Sequence, residues 1–252
     1  MLGQQAFHLR HQAVAFERGI GAVEASDGLD HRLPRSARFY VRRGKRLLDL
    51  AIAAAVFLCF GWLMALIALA IKLEDRGPVL YRQERIGRFG YPFHLTKFRS
   101  MVLGAEHKGA GILVEKGDRR ITRVGRLIRK LSLDELAQLF DVVRGTMSIV
   151  GPRPGMRYQA ELYDDAQRGR LAVRPGITGW AQVHGRNAIR WPERIRLDLE
   201  YIERLSLWMD VRTILLTIPS VLKGSDQIAD ADYWRERRQE LERRAASGES
   251  NG

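Results

Sequence analysis

From Leu50 to Ile71 the chain is apolar without a single charge, Ser or Thr. At about 1.5 Å per residue a helix of this length is about 33 Å long, enough to cross a hydrocarbon core. The pattern predicts a membrane segment rather than a cleaved signal peptide, because the run starts far into the chain and no small-x-small site precedes the charges that follow it. Beyond it, Val79–Arg82 and Phe93–Phe98 read as strands of a hairpin, with Gly87, Gly90 and Pro92 marking the turn. From Ile121 the apolar positions Val124, Leu127, Ile128 and Leu131 recur at helical spacing, with Arg123, Arg126, Arg129 and Lys130 on the other faces: a basic amphipathic helix suited to anionic lipid or to a phosphate site. A further helix is expected from Ser132, where Ser132-Leu133-Asp134-Glu135 has the capping-box pattern. Leu136, Leu139, Phe140 and Val143 form its stripe and Gly145 ends it. Residues 1–31 show no sustained period and read as a poorly ordered leader, and 225–252 as a charged extension.

Charge narrows the partners. Lys and Arg number 42 against 29 Asp and Glu, a net +13 that calls for a polyanion: nucleic acid, anionic lipid or a phosphorylated substrate. The lone cysteine, Cys59, excludes a disulfide framework and a cysteine-rich zinc site. Both flanks of the apolar run are net basic, Arg32, Arg35, Arg38, Arg42, Arg43, Lys45 and Arg46 before it and Lys72, Arg76, Arg82, Arg85 and Arg88 after it. Positive-inside bias favours the first flank as cytoplasmic without sending the second outside, which a hairpin or re-entrant helix turning near Gly61 would satisfy and which leaves a simple crossing open; residues 32–76 form the membrane unit and 77–224 the unit that follows it.

The candidate chemistry lies after the hairpin. Asp134 and Glu135 follow six cations (Arg119, Arg120, Arg123, Arg126, Arg129, Lys130) and precede Gly151-Pro152-Arg153-Pro154-Gly155, a rigid turn that fixes the guanidinium of Arg153. Taken alone, the two acids also fit helix-dipole compensation. Arg174-Pro175-Gly176-Ile177-Thr178-Gly179-Trp180 is a second constrained turn, and Lys97-Phe98-Arg99 closes the hairpin with two more cations. No Walker loop, complete G-x-G-x-x-G or zincin histidine spacing occurs.

In order along the chain, Gly77 through Gly87, Lys97 through Met101, Arg129 through Glu135, Met147 through Pro154, Pro175 through Val183 and Ser206-Leu207-Trp208 resemble the bacterial sugar transferases, the monotopic polyprenyl-phosphate phosphoglycosyl transferases, over roughly residues 40–224. The resemblance implies an α+β, mostly helical fold: one membrane-inserted helix, a small hairpin, and interfacial amphipathic helices around a cytoplasmic core. It implies transfer of a sugar 1-phosphate from a UDP-sugar to undecaprenyl phosphate at the cytoplasmic face of the bacterial inner membrane, with anionic lipid and not nucleic acid as partner and homo-oligomerisation left open. Asp134 would be the nucleophile and Glu135 its companion, both holding Mg²⁺. Arg153, Arg129, Lys97 and Arg99 would bind phosphate, and Arg174, Pro175, Gly176, Thr178, Gln182, Arg186 and Asp198 are candidates for nucleotide or sugar. Ala137, Asp141 and His184 depart from the family's usual residues, which bears on nucleotide and sugar preference, and Gly61 stands where a helix-breaking proline is usual. A metal-dependent phosphatase with water as acceptor and a non-enzymatic basic membrane anchor are the competing readings.

Overall fold

The computed structural model describes residues 33, 35–105, 117–185, 189–223 and 231–247. The expected leader, residues 1–31, and Arg186 lie outside them. Helical turns from Arg35 to Gly44 lead into α1, Lys45–Asp75. The hairpin strands β1 (Leu80–Ile86) and β2 (Pro92–Phe98) pair antiparallel, Leu80 opposite Phe98 and Ile86 opposite Pro92. Then come α2 (Arg123–Lys130), a 3₁₀ segment (Leu133–Gln138) and α3 (Leu139–Arg144). Strand β3 (Ser148–Val150) pairs in parallel with β4 (Gly176–Thr178), and α4 (Trp191–Glu203), α5 (Leu207–Lys223) and α6 (Ala231–Ser247) follow. The fold is therefore mostly helical with two small sheets, and the parallel pair is one the sequence pattern did not announce.

Among the described residues α1 is the one helix long and apolar enough to cross a membrane. It runs unbroken through Gly61, so the expected turn there is absent from the structure. The physical reason lies in its composition: with no Ser, Thr or Pro between residues 50 and 71, nothing local would satisfy or force open the backbone bonds a break releases. A narrow inner stripe is buried, Lys45, Asp49 and Ala53 toward the start and Met64, Ile67 and Ile71 toward the end. Leu47, Leu58, Trp62, Leu66, Leu69 and Leu73 point outward.

Both ends of α1 are tied to the same body. Near its start Lys45 donates to Asp210 of α5 at 2.6 Å, Arg46 donates to the Val142 and Val143 carbonyls at the end of α3, and Asp49 Oδ1 accepts from Ser148 Oγ and the Ile149 amide, each at 2.9 Å. At its end Glu74 accepts from the first amides of α2, Arg123 at 2.7 Å and Val124 at 3.2 Å, a carboxylate on the positive pole of that helix. Asp75 pairs with both terminal nitrogens of Arg99. Midway, Phe57 packs on Phe140 of α3, ring centres 5.3 Å apart. The main core joins the first half of α1 to Leu95, Leu139, Val142, β3, α4 and α5, and a smaller cluster joins its second half to Phe98, Ile128 and Ala137. Trp234 of α6 is buried against Tyr163 and Trp191, which docks the C-terminal extension on the domain.

Candidate active site

Asp134 and Glu135 sit on the 3₁₀ segment, entered through Ser132 at φ 56°, ψ 21°. The expected capping box does not form: the Ser132 side chain makes no cap hydrogen bond, and the Glu135 carboxylate turns away to two cations. Lys97 of β2 donates to Glu135 Oε1 at 2.9 Å, and Arg153 spans both oxygens at 2.5 and 3.2 Å. Burial alone would raise the Glu135 carboxyl, but Arg153 and Lys97 outweigh it and hold the group ionised, well below the usual range. A fork of this kind also fixes the carboxylate's orientation.

Asp134 has the opposite fate. Its residue is only 8% exposed, and among the described residues no hydrogen bond reaches its carboxylate. Burial raises its pKa, against the attraction of Lys97 and with the repulsion of Glu135 added. It lines a cavity of about 280 Å³ together with Lys97, Arg129, Arg85, Ser100 and Tyr81. An ionised oxygen with no partner to be pulled from is what nucleophilic attack requires.

The cations arrive from different elements. Lys97 lies on β2, whose neighbour Thr96 donates through its amide and hydroxyl to Asp141 of α3 at 2.7 and 2.9 Å, so Asp141 fixes the strand rather than facing the cavity. Arg129 comes from α2, held close because Gly125 lies directly against the Ser100 carbonyl, and donates to Ser100 Oγ at 3.5 Å. Arg153 stands on the Gly151–Gly155 turn, braced by the Arg174–Gly176 turn: the Gly151 amide donates to the Thr178 carbonyl and the Gly176 amide to the Pro152 carbonyl. A Cβ on Gly176 would fall 2.1 Å from the Gly151 nitrogen, so the two turns need glycine where they meet.

Arg85 was missed in the sequence because it lies in a polar strand, Gln83-Glu84-Arg85, that reads as a solvated edge. Its guanidinium lines the cavity, donates to Gln83 at 2.7 Å and leaves its buried Nε without a protein acceptor. Burial and the nearby charge of Arg153 push it down to about 10.

Other expected residues are placed elsewhere. Arg99 borders the cavity but spends its guanidinium on Asp75 and the Pro78 carbonyl. Arg174 donates to the Gly145 carbonyl at 2.7 Å, and Pro175 accepts from the Ser148 amide. Thr178 and Gln182 line a second cavity, of about 290 Å³, with Glu135. Asp198 is buried against Arg170. His184 packs against Trp180 with the rings tilted by 56° and 4.0 Å between ring centres, and Ala137 is core; neither lines the 280 Å³ cavity. No group of three or more His, Cys, Asp or Glu suited to a metal occurs among the described residues. Asp134 and Glu135 remain as adjacent hard oxygen donors, one of them unpartnered, a set that suits Mg²⁺ shared with substrate phosphate and water.

Residues 40–224 match the family model described as Bacterial sugar transferase. The chain is 42% identical over 178 residues to the uncharacterized sugar transferase EpsL of Bacillus subtilis, covering 71% of this chain and 87% of that protein. It is 44% identical over 203 residues to the UDP-glucose:undecaprenyl-phosphate glucose-1-phosphate transferase of Caulobacter vibrioides, 75% of this chain and 73% of that one. To the UDP-N-acetylgalactosamine-undecaprenyl-phosphate N-acetylgalactosaminephosphotransferase of Aeromonas hydrophila it is 42% identical over 198 residues, 76% of this chain but only 46% of that longer protein. The match takes in both rigid turns, the cation-flanked carboxylate pair and the helix they pack on, and the chain belongs to the bacterial sugar transferase family.

Proposed function

We propose that this chain transfers a sugar 1-phosphate from a UDP-sugar to undecaprenyl phosphate through a covalent intermediate on Asp134. The unpartnered Asp134 carboxylate facing a cation-lined cavity, beside a Glu135 that is fully engaged, is the observation that carries the reading. An Asp134 oxygen attacks the phosphorus bearing the sugar. The bond from that phosphorus to the bridging oxygen breaks, and UMP leaves with the electron pair. An oxygen of the acceptor phosphate then attacks the same phosphorus and the carboxylate departs, leaving undecaprenyl-diphosphate-sugar. Attack of one anion on another is opposed by charge, and Lys97, Arg129, Arg85 and Arg153 offset this with no reorganisation, because the fold already holds them. Glu135 orients Arg153 and Lys97. Mg²⁺ would be held through Asp134, whose carboxylate is unpartnered, with Glu135 contributing only by yielding one of its two cations, and would add Lewis-acid neutralisation of the same charge.

The same reading places the catalytic domain at the cytoplasmic face of the inner membrane, where nucleotide sugars are. An α1 tied to that domain at Arg46 and again at Asp75 supports both ends lying on one side, with the outward leucines and Trp62 in the lipid. Cysteines placed at Arg43 and Arg235 in a Cys59→Ala background are then both shielded from a membrane-impermeant thiol reagent in intact cells. Labelling of one alone separates the ends. The decisive assay is a panel of UDP-sugars without acceptor: wild type releases about one UMP per enzyme and retains phospho-sugar on the protein, and Asp134→Asn does neither. Burst and label in Asp134→Asn would end the covalent proposal, and free sugar phosphate as the final product would identify water as the acceptor.

A further inference from the structure

The two carboxylates face different cavities. Asp134 lines the cation-rich one, with Lys97, Arg129 and Arg85, whereas Glu135 stands at the polar head of the other, whose walls are Ile52 and Val56 of α1, Leu139, Ile177, and Ile214 and Val221 of α5. We propose that this second cavity is the groove for the polyprenyl chain of the acceptor, seating its first isoprene units with the phosphate end at the dyad. The proposal rests on the phosphotransferase reading above and adds to it where the lipid binds.

Three observations commit the groove to that occupant. Its walls are mostly branched aliphatic side chains, which match an isoprenoid, and much of its polar lining is already engaged within the protein: Thr178 with Thr217, Gln182 Nε2 with the Ile177 carbonyl and Ser220 with the Gln182 carbonyl. One wall is the helix whose other face is exposed leucine and tryptophan, and the opposite wall includes Ile218, 62% exposed beside exposed Leu215. The groove is thus open at a surface that is itself apolar, so a chain reaches it from lipid without crossing water. Its polar end is Glu135, which carries Arg153 and Lys97 on its oxygens, so a phosphate at that end meets cations immediately behind the carboxylate. Donor and acceptor then approach the dyad from separate cavities, the soluble nucleotide through the cationic one and the lipid through the apolar one. At about 290 Å³ the groove is at the small end of ligand sites, which run from ~300 to 1,000 Å³. It holds only the first units, and the rest of the chain stays in the bilayer.

The test fills the groove and reads the two half-reactions separately. Ile214→Trp raises the KM for undecaprenyl phosphate by roughly tenfold or more while leaving the acceptor-free UMP burst intact, and Leu215→Trp, one residue along but outward-facing, changes neither. A KM for Ile214→Trp within about twofold of wild type, or a lost burst in a folded variant, overturns the groove assignment. Independently of folding in any variant, wild-type protein is irradiated with a farnesyl phosphate bearing a diazirine on its prenyl chain, and the adducts are mapped by mass spectrometry. Adducts on Val56, Ile214 or Val221, competed away by undecaprenyl phosphate, support the proposal. Adducts confined to the outer face of α1 or to the cationic cavity refute it. Because the photolabel needs no donor sugar, its result stands apart from the UMP burst, whose absence in wild type would instead overturn the reaction proposed above.

Discussion

Replacing Arg170 by Met should cost both stability and catalysis, although Arg170 lines neither of the two cavities at the dyad. Its side chain and that of Asp198 are each 2% exposed and directly paired, and Arg170 also donates to Tyr163 Oη at 2.5 Å and to the main-chain carbonyl of Arg153 at 3.0 Å. Burial works against the Arg170 charge, but Tyr163 and Asp198 outweigh it and keep the group protonated. Removing one partner of such a pair strands the other, at about 3–5 kcal/mol. For a domain of this size roughly 2–4 °C of melting temperature accompany each kcal/mol, so the loss is about 6–20 °C. Met also leaves the Arg153 carbonyl without its buried donor, loosening the turn that aims the Arg153 guanidinium at Glu135. Detergent-solubilised protein is melted and, at a temperature where every variant is folded, assayed for UMP release. The double variant Arg170→Met, Asp198→Leu restores most of the stability because no charge is left stranded. It does not restore kcat, because the Arg153 carbonyl is still unsupported. A melting temperature for Arg170→Met within about 2 °C of wild type would refute the buried-pair reasoning, and full activity in the double variant would refute the positioning role.

Asp134→Asn should remove activity without lowering the melting temperature, since burial disfavours the charge this substitution deletes. The sign gives a pH signature: a carboxyl raised in the folded state costs nothing while protonated in both states and costs most above its folded pKa, so the melting advantage of Asn over Asp grows as pH rises from acid and then levels off. The UMP burst of wild type should fail in acid at a pH above the ordinary aspartate value of ~3.9, which a pH–rate profile measures. Arg85→Ala should raise the KM for UDP-sugar by roughly tenfold and leave the acceptor KM unchanged, a split that steady-state kinetics with each substrate varied will show. Gly125→Ala should destabilise by about 1–3 kcal/mol in a melting curve despite the better helix former, because its Cβ would fall 2.0 Å from the Ser100 carbonyl oxygen.

The long apolar helix, the hairpin, the basic amphipathic helix and the Asp134–Glu135 pair with Lys97, Arg129 and Arg153 were legible because each rests on periodicity or on residues that have one mechanical use. Composition read 151–155 and 174–180 as rigid turns, but within the second Gly176–Thr178 is strand β4, paired with β3, which the glycines and proline hid. The second turn braces the first, and its Thr178 and Gln182 end beside the apolar groove. Asp198 was a nucleotide or sugar candidate through the resemblance alone, and only tertiary packing supplies the buried Arg170 that neutralises it. Arg99 stands two residues after Lys97, a spacing that on a continuing strand would put both on one face, but β2 ends at Phe98 and Arg99 turns to Asp75 at the end of α1 instead of to Glu135. Strands β3 and β4 were too short and their partners too distant in sequence to leave a pattern.

The two adjacent carboxylates show how one segment holds two acids in opposite environments. Burial penalises both charges, and the difference between them comes from what their neighbours do with their protons. Glu135 takes hydrogen bonds from Lys97 and Arg153 and is driven below its ordinary pKa, whereas Asp134 feels the same cations only through space and stays above its own. Giving Asp134 a hydrogen-bonded cation would make it a better-held carboxylate and a poorer nucleophile, because the lone pair needed for attack would be committed. Unpairing Glu135 would leave Arg153 and Lys97 free to swing onto Asp134. The clamp on Glu135 therefore does two things at once: it fixes Lys97 and Arg153 in place, and it keeps their hydrogen bonds off the Asp134 carboxylate, as the proposed attack requires.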